Sequence, residues 1–97
     1  MATYISLSNF TDQGVRNVKD TTKRADAVKE LAKKFGATMT QIFWTLGQHD
    51  VVAIIEAPDD ASVTAFALAL GAAGNVRTQT LRAFSKDEMN GILGKMA

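Results

Sequence analysis

The single histidine of this chain, His49, stands beside Asp50 at the end of Thr45-Leu46-Gly47-Gln48-His49-Asp50, just ahead of the most apolar run of the sequence. An imidazole with its ordinary pKa near ~6.5 serves as a general base or as a ligand to metal or haem, and a neighbouring carboxylate orients it. Adjacent side chains of an extended strand point to opposite faces, so the two meet only if a turn brings them together. Aspartate at a hairpin end bonds its own backbone instead, and that structural role is the favoured one for Asp50. For His49 the favoured role is a polar hairpin or interface position. One histidine without cysteine or clustered carboxylates at ligand spacing makes a poor metal site, so neither a metal nor another cofactor is expected. If the chain is an enzyme, His49 and Asp50 are its candidate catalytic residues.

Other residue types narrow the chemistry. Asp50 and Glu56 share a strand parity, but at about 3.3 Å per residue they lie roughly 20 Å apart, too far for a paired-carboxylate reaction. Glu56 suits an edge or interface ion pair better. Trp44, Tyr4 and Arg77 are the candidate ligand-binding residues. For Trp44, the only tryptophan, packing in a core or interface is the favoured role and walling a pocket the lesser one. Arg77 and Arg82 are five positions apart and face opposite ways. One of them is placed to clamp an anion between sheet and partner, with surface or dimer salt bridges as the plainer role. Gly71-x-x-Gly74 follows a helical segment rather than preceding one, so it cannot cradle phosphate as a dinucleotide loop does. The sequence has no Walker motif and no nucleophile elbow.

Composition bounds the rest. Ninety-seven residues, 46 % hydrophobic and 22 % charged, are expected to form one globular domain, 1–97, with a core of modest size. A net charge of +1 gives no basic footprint for nucleic acid. The basic residues between Arg16 and Lys34 are interleaved with Asp20, Asp26 and Glu30, the pattern of a solvated helix face. There is no cysteine, so thiolate chemistry and disulfides are out. No apolar run is long enough for a membrane span and no signal peptide is visible, so a cytoplasmic protein is expected.

The elements that must carry these residues follow from periodicity. Thr3 to Ser8 alternates Tyr4, Ser6, Ser8 with Ile5, Leu7, a strand with one apolar face. From Thr11 the pattern is helical, with a break near Asp20-Thr21-Thr22. Ala25, Val28, Leu31, Ala32 and Phe35 then recur at helical spacing, and Gly36 suits the position just past the helix end. Thr38 to Leu46 and Val51 to Ala57 read as strands joined by a short turn, the second apolar on both parities. Pro58-Asp59 caps a second helix, which ends between Gly71 and Asn75. Val76 to Phe84 is the fourth strand. Ser85-Lys86-Asp87-Glu88 is a capping box that starts a short terminal helix, placed either on a partner or as a lid on the same fold.

The order β-α-β-β-α-β predicts an α+β, ferredoxin-like domain: a four-stranded antiparallel sheet with two helices on one face, plus a C-terminal helix. Two helices cover only one sheet face, yet the strands hold apolar residues on both parities. The leftover face predicts a homodimer or higher homo-oligomer, with a small pocket between sheet and partner.

The runs Tyr4-Ile5-Ser6-Leu7, Thr11-Asp12-Gln13-Gly14, Thr45 to Val52, Glu56-Ala57-Pro58-Asp59-Asp60 and Gly74-Asn75-Val76-Arg77-Thr78 together resemble the GYD-domain family. That resemblance implies a small ferredoxin-like protein of the dimeric α/β-barrel group. The segment matching the family's Gly-x-Tyr-Asp reads Gly47-Gln48-His49-Asp50, with histidine where tyrosine is usual. Two functions fit. One is a self-associating module that binds small molecules or assembles with partners. The other, which the dimeric α/β-barrel resemblance implies, is a cofactor-independent oxygenase or isomerase, or a haem-using enzyme, with His49 in its pocket.

Overall fold

The computed structural model describes residues 1–96. The chain runs β1 (Ala2–Phe10), α1 (Asp12–Arg16), a 3-10 turn (Val18–Asp20), α2 (Thr21–Lys34), β2 (Thr38–Trp44), β3 (Val51–Ala57), α3 (Asp60–Ala72), β4 (Val76–Ala83) and α4 (Lys86–Gly94). Four strands form one sheet in the order β2-β3-β1-β4, antiparallel at every step. The arrangement is ferredoxin-like, as the order of elements predicts.

Local chemistry fixes the ends of these elements. Thr11 caps α1 by accepting from the Gly14 amide, and the helical stretch breaks into α1, the 3-10 turn and α2 at the polar Asn17 to Asp20 region. Gly36 has φ 74°, the left-handed turn that releases the chain from α2. Asp59 accepts from the Ser62 amide at 2.8 Å and starts α3. Ser85 and Glu88 form the reciprocal capping box of α4. Strand β2 stops at Trp44 rather than Leu46 because the next residues turn inward on themselves. The Thr45 amide donates to the Asp50 carbonyl at 2.8 Å, and its hydroxyl to the His49 carbonyl at 2.6 Å.

The strand registers sort side chains onto two faces. Tyr4, Ser6 and Ser8 of β1 lie level with Ile55, Ala53 and Val51 of β3, and these with Met39, Ile42 and Trp44 of β2. This is the side that α2 and α3 cover. Buried at its centre are Tyr4, Met39, Ile55, Val63 and Phe66, the last being the largest fully buried side chain. The other face carries Phe43, Val52 and Leu7 in one row and Ile54, Ile5 and Leu81 in the next. Among the described residues no helix packs over that side, and Phe43 and Leu81 remain 53 % and 41 % exposed.

The terminal helix stands off the sheet and the other helices, and with it included the principal-axis extents are 52 × 30 × 18 Å. Met89, Ile92, Leu93 and Met96 stay exposed, so α4 is not a lid closed over its own fold. Its tie to the sheet is the Arg82–Glu88 ion pair at 3.2 Å. The Arg82 guanidinium also lies 4.5 Å from the centroid of the Phe84 ring.

Candidate functional site

Small residues leave a hollow on the covered side. Ser6 and Ala53 sit side by side in the middle of the sheet, where larger neighbours would fill the space under the helices. Phe35 and Phe66, with ring centroids 6.2 Å apart, join the two helices where α2 ends. Towards the start of α2 the helices part. The result is a cleft of about 260 Å³ whose floor is β1 and β3 and whose walls are α2 and α3. Trp44 closes one end, its indole N–H donating to the Thr21 hydroxyl at 3.0 Å.

The cleft is apolar with a few polar groups. Ser6 and Ser8 are each only 6 % exposed and line it, so both are buried polar residues on the helix side of a central strand. Arg24 is the only charged residue in the lining, and among the described residues it makes no ion pair. Asn75 adds an amide near the α3–β4 turn. That turn is held by the segment Thr11 to Gly14. The Thr11 hydroxyl donates to the Gly74 carbonyl at 2.5 Å, and the Gln13 amide donates to the Asn75 side chain at 3.0 Å. Gly14 packs so closely that a Cβ there would lie 2.0 Å from the Asn75 carbonyl oxygen.

The residues singled out from sequence fall in three places. Trp44 lines the cleft. Tyr4 lies on the same face but under the start of α3, where its hydroxyl donates to Asp60 at 2.5 Å. That bond, burial and the Asp60 charge push the Tyr4 phenol above its ordinary pKa. Arg77 pairs with Asn9 in register and belongs to the bare face; it is not part of the cleft lining. His49 and Asp50 engage different partners. The His49 ring nitrogen Nδ1 is 3.2 Å from the Asn9 amide oxygen, while the Asp50 carboxylate accepts from the Phe10 amide at 2.9 Å. Asp50 thereby clamps the β2–β3 turn to the end of β1, aided by its own amide donating to the Ser8 carbonyl at 2.9 Å. Glu56 accepts from the Thr3 hydroxyl at 3.0 Å. No group of three or more metal-ligating side chains gathers anywhere among the described residues.

Sequence reasoning passed over Ser6, Ser8 and Arg24 as site residues. A signal for each was present. Serines at alternate positions of a strand flanked by apolar strands are polar groups on one continuous face. Arg24 lies within the Thr21, Ala25, Val28 stripe that α2 turns inward, where a charge is out of place.

Four antiparallel strands in this order, with both long helices on one face and an apolar cleft beneath them, define a ferredoxin-like α+β protein. The GYD domain profile matches residues 4–93, and the chain belongs to the GYD-domain family. It is 37 % identical over 84 residues to the glutamine synthetase and cystathionine beta-lyase binding protein of Thermus thermophilus, an alignment covering 86 % of this chain and 88 % of that one. The fold is also similar to the crystal structure of TTHA0845 from Thermus thermophilus, with TM-score 0.55 and 22 % identity over 88 % of this chain and 95 % of the other. No helix among the described residues is long and apolar enough to cross a membrane.

Proposed function

We propose that the chain acts by binding: it is a homodimeric module that docks on partner enzymes, its two copies joined through the bare sheet face. The observation that carries this reading is the double row Phe43–Val52–Leu7 and Ile54–Ile5–Leu81, a staggered apolar band on three strands in each row, closed by Gln79 at one edge and Gln41 at the other. A small soluble chain does not leave such a band in water, because each large aliphatic side chain withheld from water contributes about 1.5–3 kcal/mol. The natural occupant is a second copy, since the band is two strands wide on either side of its centre and suits a two-fold stacking. Arg77 near one end of the face and Glu56 near the other are opposite charges at its rim, suited to pairing across that seam. The exposed apolar side of α4 adds further surface for the partner copy to cover.

The partner enzymes are suggested by the Thermus thermophilus relative, whose name records binding to glutamine synthetase and cystathionine beta-lyase. Leu46, fully exposed at the tip of the β2–β3 turn, offers a docking point that self-association through the sheet does not use up. Light scattering on a sizing column at micromolar concentration should give twice the chain mass. Ile54→Asp, which sets a carboxylate in the middle of the band, should give one chain mass with unchanged far-UV circular dichroism. A wild-type protein that elutes only as a monomer removes the dimer. Biosensor titration against purified glutamine synthetase and cystathionine beta-lyase tests the docking, and no saturable response to either enzyme removes it.

A further inference from the structure

We propose that the cleft between α2 and α3 binds a small apolar monoanion, a carboxylate whose charged end meets Arg24 and Ser8 and whose hydrocarbon body lies toward Ile55 and Phe66. The site is on the opposite side of the sheet from the band described above, so it stands whether or not the chain dimerises. Size is the first argument. A cleft of about 260 Å³ exceeds the roughly 150 Å³ apolar cavity that admits benzene, leaving room for a substituted ring or a short branched acyl chain.

Polarity is the second. A buried hydroxyl normally finds a partner. Among the described residues no hydrogen bond within the chain engages the Ser6 or Ser8 hydroxyl, yet no sealed side-chain polar atom is left without a partner, so both hydroxyls open into the cleft rather than being closed off. The register sets a gradient along the floor: Ser8 with Val51 and Trp44, then Ser6 with Ala53 and Ile42, then Ile55 with Met39. The polar end of this gradient is the end at which Trp44 reaches the first turn of α2, one turn before Arg24. Charge is the third argument. Arg24 is a single cation with no carboxylate beside it in the lining, and a guanidinium matches a carboxylate through two parallel hydrogen bonds. One cation and two hydroxyls balance one negative charge. They do not balance a dianionic phosphate.

Trp44 makes the test direct, because the only tryptophan of the chain is a wall of the site. The full-length protein is titrated with phenylacetate and hexanoate, and with the neutral phenylacetamide and 1-hexanol, while Trp44 fluorescence is followed. Saturable changes are expected with the acids, which should bind roughly tenfold or more tightly than the neutral compounds. Arg24→Gln should abolish that preference without changing the circular dichroism. Methyl NMR locates the ligand, since β3 alternates sides: Val51 and Ile55 should shift, and Val52 and Ile54 should not. Ser6→Leu, which fills the floor, should remove binding of acids and neutral compounds alike; should that variant fail to fold, Arg24→Gln still decides. No saturable response from the wild type, equal affinity for acid and amide, an unchanged preference in Arg24→Gln, or shifts confined to Val52 and Ile54 would each overturn the assignment.

Discussion

On the helix side of the sheet, strand β1 presents Tyr4, Ser6 and Ser8, whereas on the bare side the same strand presents Ile5 and Leu7. The bulkier aliphatic set therefore points away from the chain's own helices. The covered side does its packing with few large groups, Met39, Ile55, Val63 and Phe66, and leaves a hollow beside them. Among the described residues no helix packs over the middle of the bare side. A sheet built this way carries two different surfaces, one concave with scattered polar groups and one flat and apolar. Concave surfaces with a few convergent polar groups suit small molecules, and flat apolar ones suit other proteins.

Paired substitutions sharpen the contrast. Phe66→Ala on the covered side should lower stability by about 3–5 kcal/mol, by the same amount at every protein concentration in urea titrations. Phe43→Ala on the bare side should cost far less at nanomolar concentration and progressively more as the dimer forms. Equal, concentration-independent losses would erase the distinction between the faces. Gly14→Ala comes next, because the added Cβ collides with the Asn75 carbonyl and must displace the turn beside the cleft. A loss of roughly 2 kcal/mol is expected, read from the thermal midpoint together with a changed Trp44 emission.

Smaller effects should leave both faces intact. Ser85→Ala removes the α4 cap and should cost about 1 kcal/mol, as local fraying of α4 seen by amide exchange. The Ser85 amide and then Arg82 hold the Glu88 carboxyl below its ordinary value of 4.5. A depressed folded pKa means that this support is complete above that value and is lost as pH falls through the folded pKa. In Ser85→Ala, which keeps that amide, the acid loss should survive, and in Glu88→Gln it should vanish. Smallest is Tyr4→Phe, read on the covered side. The raised Tyr4 pKa gives stability that is complete below the ordinary value of 10.0 and is lost as pH rises through the folded pKa. Wild type should thus show an alkaline loss of stability that Tyr4→Phe lacks.

Most of the architecture was legible because it is written in local chemistry. Asp59, the Ser85–Glu88 box and Gly36 each mark a boundary through bonds made within a few residues, and all three do so in the structure. The Val51–Ala57 run, apolar on both parities, announced a strand with two demanding faces. What the alternation could not say is which parity of β1 the helices take. Ile5 and Leu7 look like the inward set when one chain is read alone, and only the register with Ala53 and Ile55 turns Tyr4, Ser6 and Ser8 inward. The cleft was illegible for a related reason. It arises where two helices separated by two intervening strands part over small side chains, and no local pattern records that angle. Arg24 was hidden among the charges of a solvated helix, its company in the lining being set by tertiary packing.

The placement of β1 also governs how this chain comes into being. Of the strands described, the one synthesised first is a central strand, and its neighbours are residues 51–57 and 76–83. Neither edge of β1 is satisfied until β3 has been made, and the second waits for β4. Loop closures of this span slow folding and prolong the exposure of Ile5 and Leu7 to other nascent chains. A circular permutant opened in the β2–β3 turn at Gly47, which would join β1 by a linker to the end of α4 and place it late in synthesis, should refold at a different rate while reaching the same sheet.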